Sequence, residues 1–572
     1  MLRSLLAPLA AGLLLAGCAT APKSVSTAPN SSAFAHGMVS AADPRAADAG
    51  AEMLHAGGSA TDAALAMLLA LNVVEPQSSG VGGGGFMVLD DGKGHVETLD
   101  GREAAPKAAT PEWFKMNGQY LSVPQAIPGG LSVGVPGNVA LMAQAHERYG
   151  KLPWKQLFGP AIKLARDGFA VTPRMRQFLD RARGTAGLTA DGRALYFGAD
   201  GEPLPVGTTI RNPALAAFLE KLAAGGPKVF YSGANAAAIA ETVSKSPRNP
   251  APMTASDLGA YHAKWRAPVC APYRAYRICG MGPPASGATT VSGVLGVLER
   301  FDMTALGKDS PVAWHLIAEA ERLVYADRDR YLADSDFVSV PVAGLVAPDY
   351  LAARSQLIAP DRTLPAATPG TPPGAQVAQA DTLTPDVPST THFVAVDRSG
   401  QAVTQTSTVE SSFGSGLMVS GYYLNNELTD FSLVPDRDGK PVANRVEPGK
   451  RPRSSMAPTL VYGPDGKLRL AVGAAGGATI PAQVLRVIIG VIDWKLSVQD
   501  AIALPVIYAP GGTTVSVDKG GALEAMIPAL KALGHDDIVV RELPLKANAV
   551  EVVNGELHGG TDPHTEGVAR SD

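Results

Sequence analysis

The 572-residue sequence has few cysteines, few aromatic residues and little charge. It contains 3 cysteines, 6% aromatic residues and 18% charged residues, and its formal net charge is −4. Because it has no run of lysines or arginines, nucleic acid is not expected as a partner. Hydrophobic residues make up 46% of the chain, and its 62 glycines and 46 prolines are scattered among apolar runs. This pattern predicts a large folded protein with many tight turns, not a disordered chain.

Residues 1–17 have the features of an export signal. Arg3 supplies a positive charge, residues 5–15 form a short apolar core, and small residues precede Cys18. An apolar stretch this short does not comfortably span a bilayer. The Leu-Ala-Gly-Cys sequence that ends at Cys18 resembles the lipobox of bacterial lipoproteins, in which the cysteine is acylated. The alternative is an ordinary signal peptide that happens to contain a cysteine.

The lipobox interpretation predicts a periplasmic protein that is held by lipid at a bacterial membrane, here expected to be the outer membrane. Residues 18–35 are rich in Ala, Ser, Thr and Pro and are expected to form a flexible tether from that membrane. Two cysteines remain, Cys270 and Cys279, on either side of a stretch that predicts a hairpin. In an oxidising compartment they would form a disulfide, and the alternative is a pair of buried free thiols.

Hydrophobic periodicity predicts a mixture of helices and strands, typical of a layered α+β sandwich. Residues 360–389 have neither period and are expected to form an exposed loop. Strand-like alternation starts directly after this loop and predicts a hairpin of residues 391–397 and 401–409. The other predicted elements are strands at 459–462 and 468–472 and helices at 62–71, 314–331 and 481–491.

Thr390 follows the predicted loop and precedes the first strand of this hairpin. A threonine hydroxyl is a weak nucleophile unless a base takes its proton. If the chain were cut between Ser389 and Thr390, the new α-amine would have a pKa of roughly 7.7–8.0 and could serve as that base. The hydroxyl could also make the cut by attacking the Ser389 carbonyl. Taken alone, two threonines at the start of a strand more often reflect β-propensity.

A set of motifs in a fixed order resembles the γ-glutamyltranspeptidase family and extends over nearly the whole chain after the leader. They include Gly-Arg-Glu-Ala-Ala-Pro, Thr-Thr-His-Phe, Asn-Asn-Glu-Leu-Thr-Asp-Phe and Lys-Arg-Pro-Arg-Ser-Ser-Met. The matching segments are residues 74–85, 101–106, 134–137, 160–168, 325–328, 390–393, 425–431, 450–456 and 473–477.

The resemblance implies an α+β fold, a four-layer αββα N-terminal-nucleophile sandwich that forms one joint domain. It implies a large subunit of residues 36–389 and a small catalytic subunit of residues 390–572, both cut from one precursor. It also implies that the enzyme cleaves the γ-glutamyl amide bonds of glutathione-like compounds. An acyl-enzyme would form on the N-terminal threonine and pass to water, amino acids or peptides, with no cofactor.

The same resemblance implies roles for single residues. Thr390 is the expected nucleophile, and Thr408 is expected to support its amine. The amides of Gly476 and Gly477 are the expected oxyanion hole. Binding of a substrate α-carboxylate is expected from one group of residues and binding of its α-ammonium from another: Arg102, Ser454 and Ser455 for the carboxylate, and Glu427, Asp430 and Glu410 for the ammonium.

Two departures from the family pattern affect the expected substrate. Glu410 stands where many members have an asparagine, and the segment between Asp430 and Ser454, which can cover the site, is short. Two alternatives therefore remain: an acylase of the same fold that prefers glutaryl or cephalosporin-type donors, and a non-catalytic binding lipoprotein. No metal site is expected, because His315 and Glu319 have a metal-ligand spacing without a third ligand motif nearby.

Overall fold

Two antiparallel sheets form the centre of the molecule in the computed structural model, which describes residues 34–376, 380–381 and 389–572. The strands of these sheets are β1 Met38–Ala41, β2 Gly84–Asp90, β3 Val96–Gly101, β4 Lys264–Arg266, β5 Val269–Tyr273, β6 Tyr276–Gly280, β7 Thr391–Val396, β8 Ala402–Thr408, β9 Thr459–Tyr462, β10 Leu468–Ala475, β11 Lys546–Val553, β12 Glu556–Thr561 and β13 Val568–Ser571. The first sheet has the order β13-β1-β7-β8-β2-β3-β4, and the second has the order β12-β11-β10-β9-β6-β5.

The alternation of side chains along β7 explains why the two sheets stack. Val394 and Val396 belong to the core between the sheets, together with Leu470 and Val472 of β10. Phe393 and Ala395 point to the opposite face, where they join a second core that contains the helix at residues 60–74. Because successive strand residues alternate between faces, one strand can contribute to two apolar layers.

Helices cover the outer face of each sheet. Those of at least eight residues are α1 Pro44–His55, α2 Ala60–Val74, α3 Asn138–Tyr149, α4 Gly159–Asp167, α5 Pro173–Arg181, α6 Pro213–Gly225, α7 Gly233–Ser244, α8 Gly287–Leu298, α9 Pro311–Tyr331, α10 Pro348–Ser355, α11 Ile480–Ile492 and α12 Leu523–Ala532. Helix α2 packs on β7 and β8, whereas α8 and α11 pack on β5 and β10 of the second sheet. The predicted α+β, four-layer αββα architecture is confirmed.

The predicted secondary structure agrees closely with the observed elements. Helices α2, α9 and α11 cover the three predicted helices, and β9 has the predicted bounds. Strands β7 and β8 form the predicted hairpin, with Thr391 opposite Ser407. Cys270 and Cys279 are directly opposite each other in the β5–β6 hairpin and form a disulfide.

The prediction of an exposed loop at residues 360–389 is wrong at its C-terminal end. The described residues of this segment are irregular, but Ser389 is buried and its Oγ donates to the carbonyl oxygen of Gln77, 2.5 Å away. Leu364 is also fixed, because its N–H donates to the Glu319 carboxylate on α9 over 2.5 Å. Polar contacts to the folded body therefore hold Leu364 and Ser389, at the two ends of this segment.

The predicted leader, Cys18 and nearly all of the predicted tether lie outside the described residues. Within residues 34–376, 380–381 and 389–572, no helix combines the length and the apolar character needed to cross a membrane.

Candidate active site

All but one of the residues predicted from sequence to bind the donor or to act on it line one cleft where β7 begins and β8 ends, and the exception is Gly476. Its lining combines hydroxyl, carboxylate, guanidinium and backbone groups, and consists of Arg102, Arg328, Thr390, Thr408, Glu410, Glu427, Asp430, Arg453, Ser454, Ser455, Met456, Gly477, Ala478 and Ile480. These residues come from a strand of the first sheet, from helices α9 and α11 and from segments next to strands of both sheets, so the sandwich must be assembled before the cleft exists.

Two threonine hydroxyls converge on the carbonyl oxygen of Ser389. The Thr390 Oγ1 donates to this oxygen, and the Thr408 Oγ1 donates to it from 2.9 Å. The two hydroxyl oxygens lie 3.2 Å apart, and the backbone N–H of Glu410 donates to the Thr408 Oγ1 over 2.8 Å. Hydrogen bonds of this kind polarise a carbonyl group and stabilise negative charge that develops on its oxygen.

Arg102 is fully buried and uses its planar guanidinium to hold two acidic side chains. One terminal nitrogen donates to Glu427, and the other donates to Asp430 over 2.5 Å. Burial lowers the pKa of Arg102, but the charges of Glu427 and Asp430 more than offset it and hold this pKa above its ordinary value. The group expected to bind a substrate carboxylate is therefore paired with the groups expected to bind a substrate ammonium.

Glu410 adds a third acidic side chain to this cluster. Burial raises the pKa of Glu410 well above its ordinary value, and the charges of Asp430 and Glu427 raise it further. Burial also raises the pKa of Glu427 well above its ordinary value, against the opposing effect of Arg102. Glu410 has a φ of 79°, a left-handed conformation that is unusual for glutamate and that occurs often at functional sites.

Gly476 and Gly477 form the turn that follows β10, and Gly477 begins the short helix that leads into α11. Both have positive φ values, 133° and 62°, which a side chain would disfavour. A Cβ atom on Gly476 would lie 2.3 Å from the carbonyl oxygen of Pro544. The sequence needs glycine here so that the backbone can turn closely beside the cleft, where Gly477 is part of the lining.

Ser454 and Ser455 lie on the same side of the cleft as an arginine that the sequence did not single out. Arg328 donates to the Ser455 Oγ over 2.6 Å and to the Ser286 Oγ over 3.0 Å. The Ser454 Oγ accepts the Met456 N–H over 3.2 Å. The two serine hydroxyls are thus oriented by their surroundings. Arg328 belongs to one of the motifs that resemble the family, Tyr-Ala-Asp-Arg at residues 325–328, but that motif alone did not indicate a position in the cleft.

A buried ion pair behind Thr390 was also missed. The ammonium of Lys546 donates to the Thr390 carbonyl oxygen over 3.1 Å and to the Glu75 carboxylate over 2.7 Å. Lys546 and Glu75 are 471 residues apart, so no local pattern could have joined them. The one available signal was Lys546 itself, a lysine at the start of a strand in which five of the eight residues are Ala or Val.

The residues considered for metal binding have other partners. His315 contacts His535 through a 2.8 Å hydrogen bond, and Glu319 pairs with Arg322 over 2.6 Å. Among the described residues, no group of three or more His, Cys, Asp or Glu side chains could hold a metal ion.

Comparisons with known proteins agree on one family. A sequence model of the family Gamma-glutamyltranspeptidase matches residues 46–571. The chain is 36% identical to a glutathione hydrolase proenzyme of Bacillus subtilis, over 93% of this chain and 91% of that protein. It is 35% identical to a glutathione hydrolase proenzyme of Escherichia coli, with 92% and 90% covered. The crystal structure of a cephalosporin acylase from Bacillus halodurans matches with a TM-score of 0.83 at 28% identity, covering 94% of this chain and 96% of that one.

Proposed function

The chain belongs to the gamma-glutamyltranspeptidase family, and on that premise we propose that it cuts itself before Thr390 and then uses Thr390 to transfer γ-glutamyl groups. One observation carries the proposal: the hydroxyls of Thr390 and Thr408 both donate to the carbonyl oxygen of Ser389. A nucleophile, the carbonyl that it would attack and a second donor to that carbonyl are therefore together before any substrate arrives.

Self-cleavage begins with attack of the Thr390 Oγ1 on the carbonyl carbon of Ser389. The Thr408 hydroxyl stabilises the charge on the carbonyl oxygen, and the Glu410 N–H, which donates to the Thr408 Oγ1, keeps this hydroxyl in place. The bond between the Ser389 carbon and the Thr390 nitrogen then breaks, and the nitrogen takes the hydroxyl proton. This leaves an ester that water hydrolyses, which gives a Ser389 carboxylate, a free Thr390 α-amine and a restored hydroxyl.

In turnover the Thr390 hydroxyl is again the nucleophile, and the α-amine of Thr390 is the base. An N-terminal α-amine has a pKa near 7.7–8.0, roughly matched to neutral solution, as a general base requires. Thr390 attacks the γ-carbonyl of the donor, the backbone amides of Gly476 and Gly477 stabilise the oxyanion, and the leaving amine takes the proton. Water or an amino group of an amino acid or peptide then takes the acyl group from Thr390.

The donor is a γ-glutamyl compound of the glutathione type. The names of the Bacillus subtilis and Escherichia coli relatives support this substrate class. In the bound state, the Arg102 guanidinium and the hydroxyls of Ser454 and Ser455 receive the α-carboxylate, and Glu427 and Asp430 receive the α-ammonium. A zwitterionic group suits this pocket, because the pocket itself holds Arg102 against Glu427 and Asp430.

The second candidate is an acylase that accepts donors without the α-amino group. It is favoured by the similarity to the cephalosporin acylase from Bacillus halodurans. The two candidates differ in one requirement, the α-ammonium of the donor. A non-catalytic lipoprotein, the third possibility raised by the sequence, would remain uncut.

The substrate proposal is tested by comparing γ-glutamyl-p-nitroanilide with glutaryl-p-nitroanilide, which lacks only the α-amino group. We expect kcat/KM to be at least about tenfold higher for the γ-glutamyl donor, which corresponds to ~1.4 kcal/mol in the barrier. A ratio near one would contradict the proposed donor and favour the acylase. A cut protein that turns over neither donor would contradict both enzymes.

The products of cleavage are a large subunit of residues 36–389 and a small subunit of residues 390–572 that stay together as one αββα domain. Strands β1–β6 come from the first subunit and β7–β13 from the second, so both sheets need both subunits. Cys18 carries lipid and anchors the mature enzyme at the outer membrane, on its periplasmic side. The lipobox-like sequence supports this anchor.

A further inference from the structure

The Lys546–Glu75 ion pair fixes two consecutive residues at the start of β7. The Lys546 ammonium donates to the Thr390 carbonyl oxygen over 3.1 Å, and the Glu75 carboxylate accepts from the Thr391 Oγ1 over 2.9 Å. The same ammonium donates to both oxygens of Glu75, over 2.8 and 2.7 Å. All four groups are buried. A single ion pair thus holds the backbone of Thr390 and the side chain of Thr391.

The backbone of Lys546 also leads to the turn at Gly476 and Gly477. Lys546 is directly opposite Ala475 in the second sheet, and its N–H donates to the side-chain oxygen of Gln483 over 2.9 Å. The side-chain nitrogen of Gln483 donates to the carbonyl oxygen of Ala475 over 2.8 Å and to the Thr479 Oγ1 over 3.1 Å. Gln483 therefore contacts the chain on both sides of the turn, before Gly476 and after Gly477.

The proposed nucleophile and the proposed oxyanion hole lie next to strands of different sheets. Thr390 precedes β7 of the first sheet, whereas Gly476 follows β10 of the second. Their separation depends on how the sheets pack, and a misplacement of about 1 Å can cost 10²-fold in rate. Lys546 is bonded to Thr390 through its side chain and to the turn through its backbone and Gln483.

Cleavage before Thr390 makes this constraint more important. Thr390 then becomes a chain terminus and loses its covalent link to Ser389, and chain termini tend to fray unless they are tied down. Burial lowers the pKa of Lys546 to about 8 against the opposing effect of Glu75, so the ammonium is charged at neutral pH. A charged donor makes the stronger hydrogen bond to a backbone carbonyl.

We propose that Lys546 is a positioning residue that holds the terminal Thr390 at a fixed distance from the Gly476–Gly477 turn, with Glu75 as its counter-charge. This inference rests on the proposed function, because it gives Lys546 a role only if Thr390 is the nucleophile. Lys546 does not contact the donor. It acts on the rate of acyl transfer through Thr390, and so it affects kcat and not the affinity for substrate.

The test compares the matured variants Lys546→Met and Arg486→Met with wild type on γ-glutamyl-p-nitroanilide. The control breaks another buried ion pair, Arg486–Asp562, whose partners bond neither Thr390 nor the turn. We expect both variants to lose thermal stability. Only Lys546→Met should lose about 10²-fold in kcat, the cost of a misplaced reacting group, with KM within about threefold of wild type.

A third variant covers failure of Lys546→Met to fold or mature. Thr391→Val keeps the shape and β-propensity of the side chain but removes its bond to Glu75, and we expect kcat to fall about five- to tenfold at unchanged KM. A kcat within threefold of wild type in every matured variant of Lys546 and Thr391 would overturn the inference. So would equal losses of kcat in Lys546→Met and Arg486→Met. If the proposed function itself were wrong, wild type would be uncut or inactive. That result differs from both of the outcomes that would overturn the role of Lys546.

Discussion

At the scale of the single residue, the Arg102 side chain donates to four acceptors, one more than the three N–H groups of a lysine ammonium could serve. Its guanidinium donates to Glu427 and Asp430 and, over 3.1 and 3.0 Å, to the carbonyl oxygens of Pro452 and Arg453. A planar guanidinium satisfies these acceptors at once, whereas a lysine ammonium is a point charge on a flexible stem. The geometry of the site depends on the shape of this group and not only on its charge.

Arg102→Lys should therefore lower kcat/KM for γ-glutamyl-p-nitroanilide by at least an order of magnitude, because a bidentate site loses its fork geometry. Cleavage at residues 389–390 should be spared, since the contacts of the Ser389 carbonyl are made by Thr390 and Thr408. Intact mass and steady-state kinetics on the same sample separate the two effects. Unchanged kinetics would mean that Arg102 does not bind the donor.

Glu410 should make donor binding depend on pH. Burial and the charges of Asp430 and Glu427 raise its pKa well above the ordinary value, which favours the protonated carboxyl group in the empty site. A bound α-ammonium favours the ionised carboxylate, and binding then releases a proton. Binding should therefore weaken as the pH falls, and KM for a γ-glutamyl donor should rise.

Glu410→Asn should flatten that dependence of KM between pH 5 and pH 8. Asparagine also tolerates the left-handed conformation at this position, so the variant is expected to fold. Turnover of the γ-glutamyl donor should stay within about tenfold of wild type. The KM profiles for γ-glutamyl-p-nitroanilide decide the matter: the same slope in wild type and variant would remove Glu410 from the ammonium site.

At the scale of the element, the sequence predicted what depends on local pattern. Helices α2, α9 and α11 and the β7–β8 hairpin each have a clear apolar period, and their positions were predicted to within a few residues. The burial of Ser389 was not predicted, because its hydroxyl donates to the carbonyl oxygen of Gln77, which is 312 residues away in the sequence. The Lys546–Glu75 ion pair was not predicted for the same reason. Contacts between distant segments leave no periodic signal.

Helix α9 carries a buried acid whose protonation should affect stability. Glu321 is fully buried, and burial raises its pKa to about 8, while one carboxylate oxygen accepts the Ala509 N–H over 2.8 Å. A raised folded-state pKa means that the contribution to stability is fully present below the unfolded pKa and is lost as the pH rises through about 8.

Glu321→Gln keeps an oxygen for Ala509 but cannot ionise, so its stability should lack this loss. The free energy of unfolding of the variant, relative to wild type, should rise by a few kcal/mol between pH 5 and pH 9, at about 1.4 kcal/mol for each unit of pKa shift. Denaturant titrations at these two pH values measure it. A difference that does not change with pH would show that Glu321 does not titrate in this range.

At the scale of the whole molecule, the site exists because the two sheets pack against each other. The proposed nucleophile directly precedes β7, an interior strand of the first sheet, the glycine turn follows a strand of the second, and Arg102 follows β3. The resemblance to a family assigned these residues to one site, which no local rule could have done. What the family pattern did not supply was the pairing of Arg102 with Glu427 and Asp430. That pairing depends on the charges that this particular pocket encloses.

The central claim is that Thr390 both cuts the chain and attacks the donor. It is tested most directly by the intact mass, under denaturing conditions, of purified wild type, Thr390→Ala and Thr390→Ser. We expect wild type to give two fragments, the second beginning at Thr390. Thr390→Ser should give the same cut more slowly, because it keeps the hydroxyl, and Thr390→Ala should give one uncut chain with no turnover of γ-glutamyl-p-nitroanilide. Complete cleavage of Thr390→Ala at residues 389–390 would contradict the account.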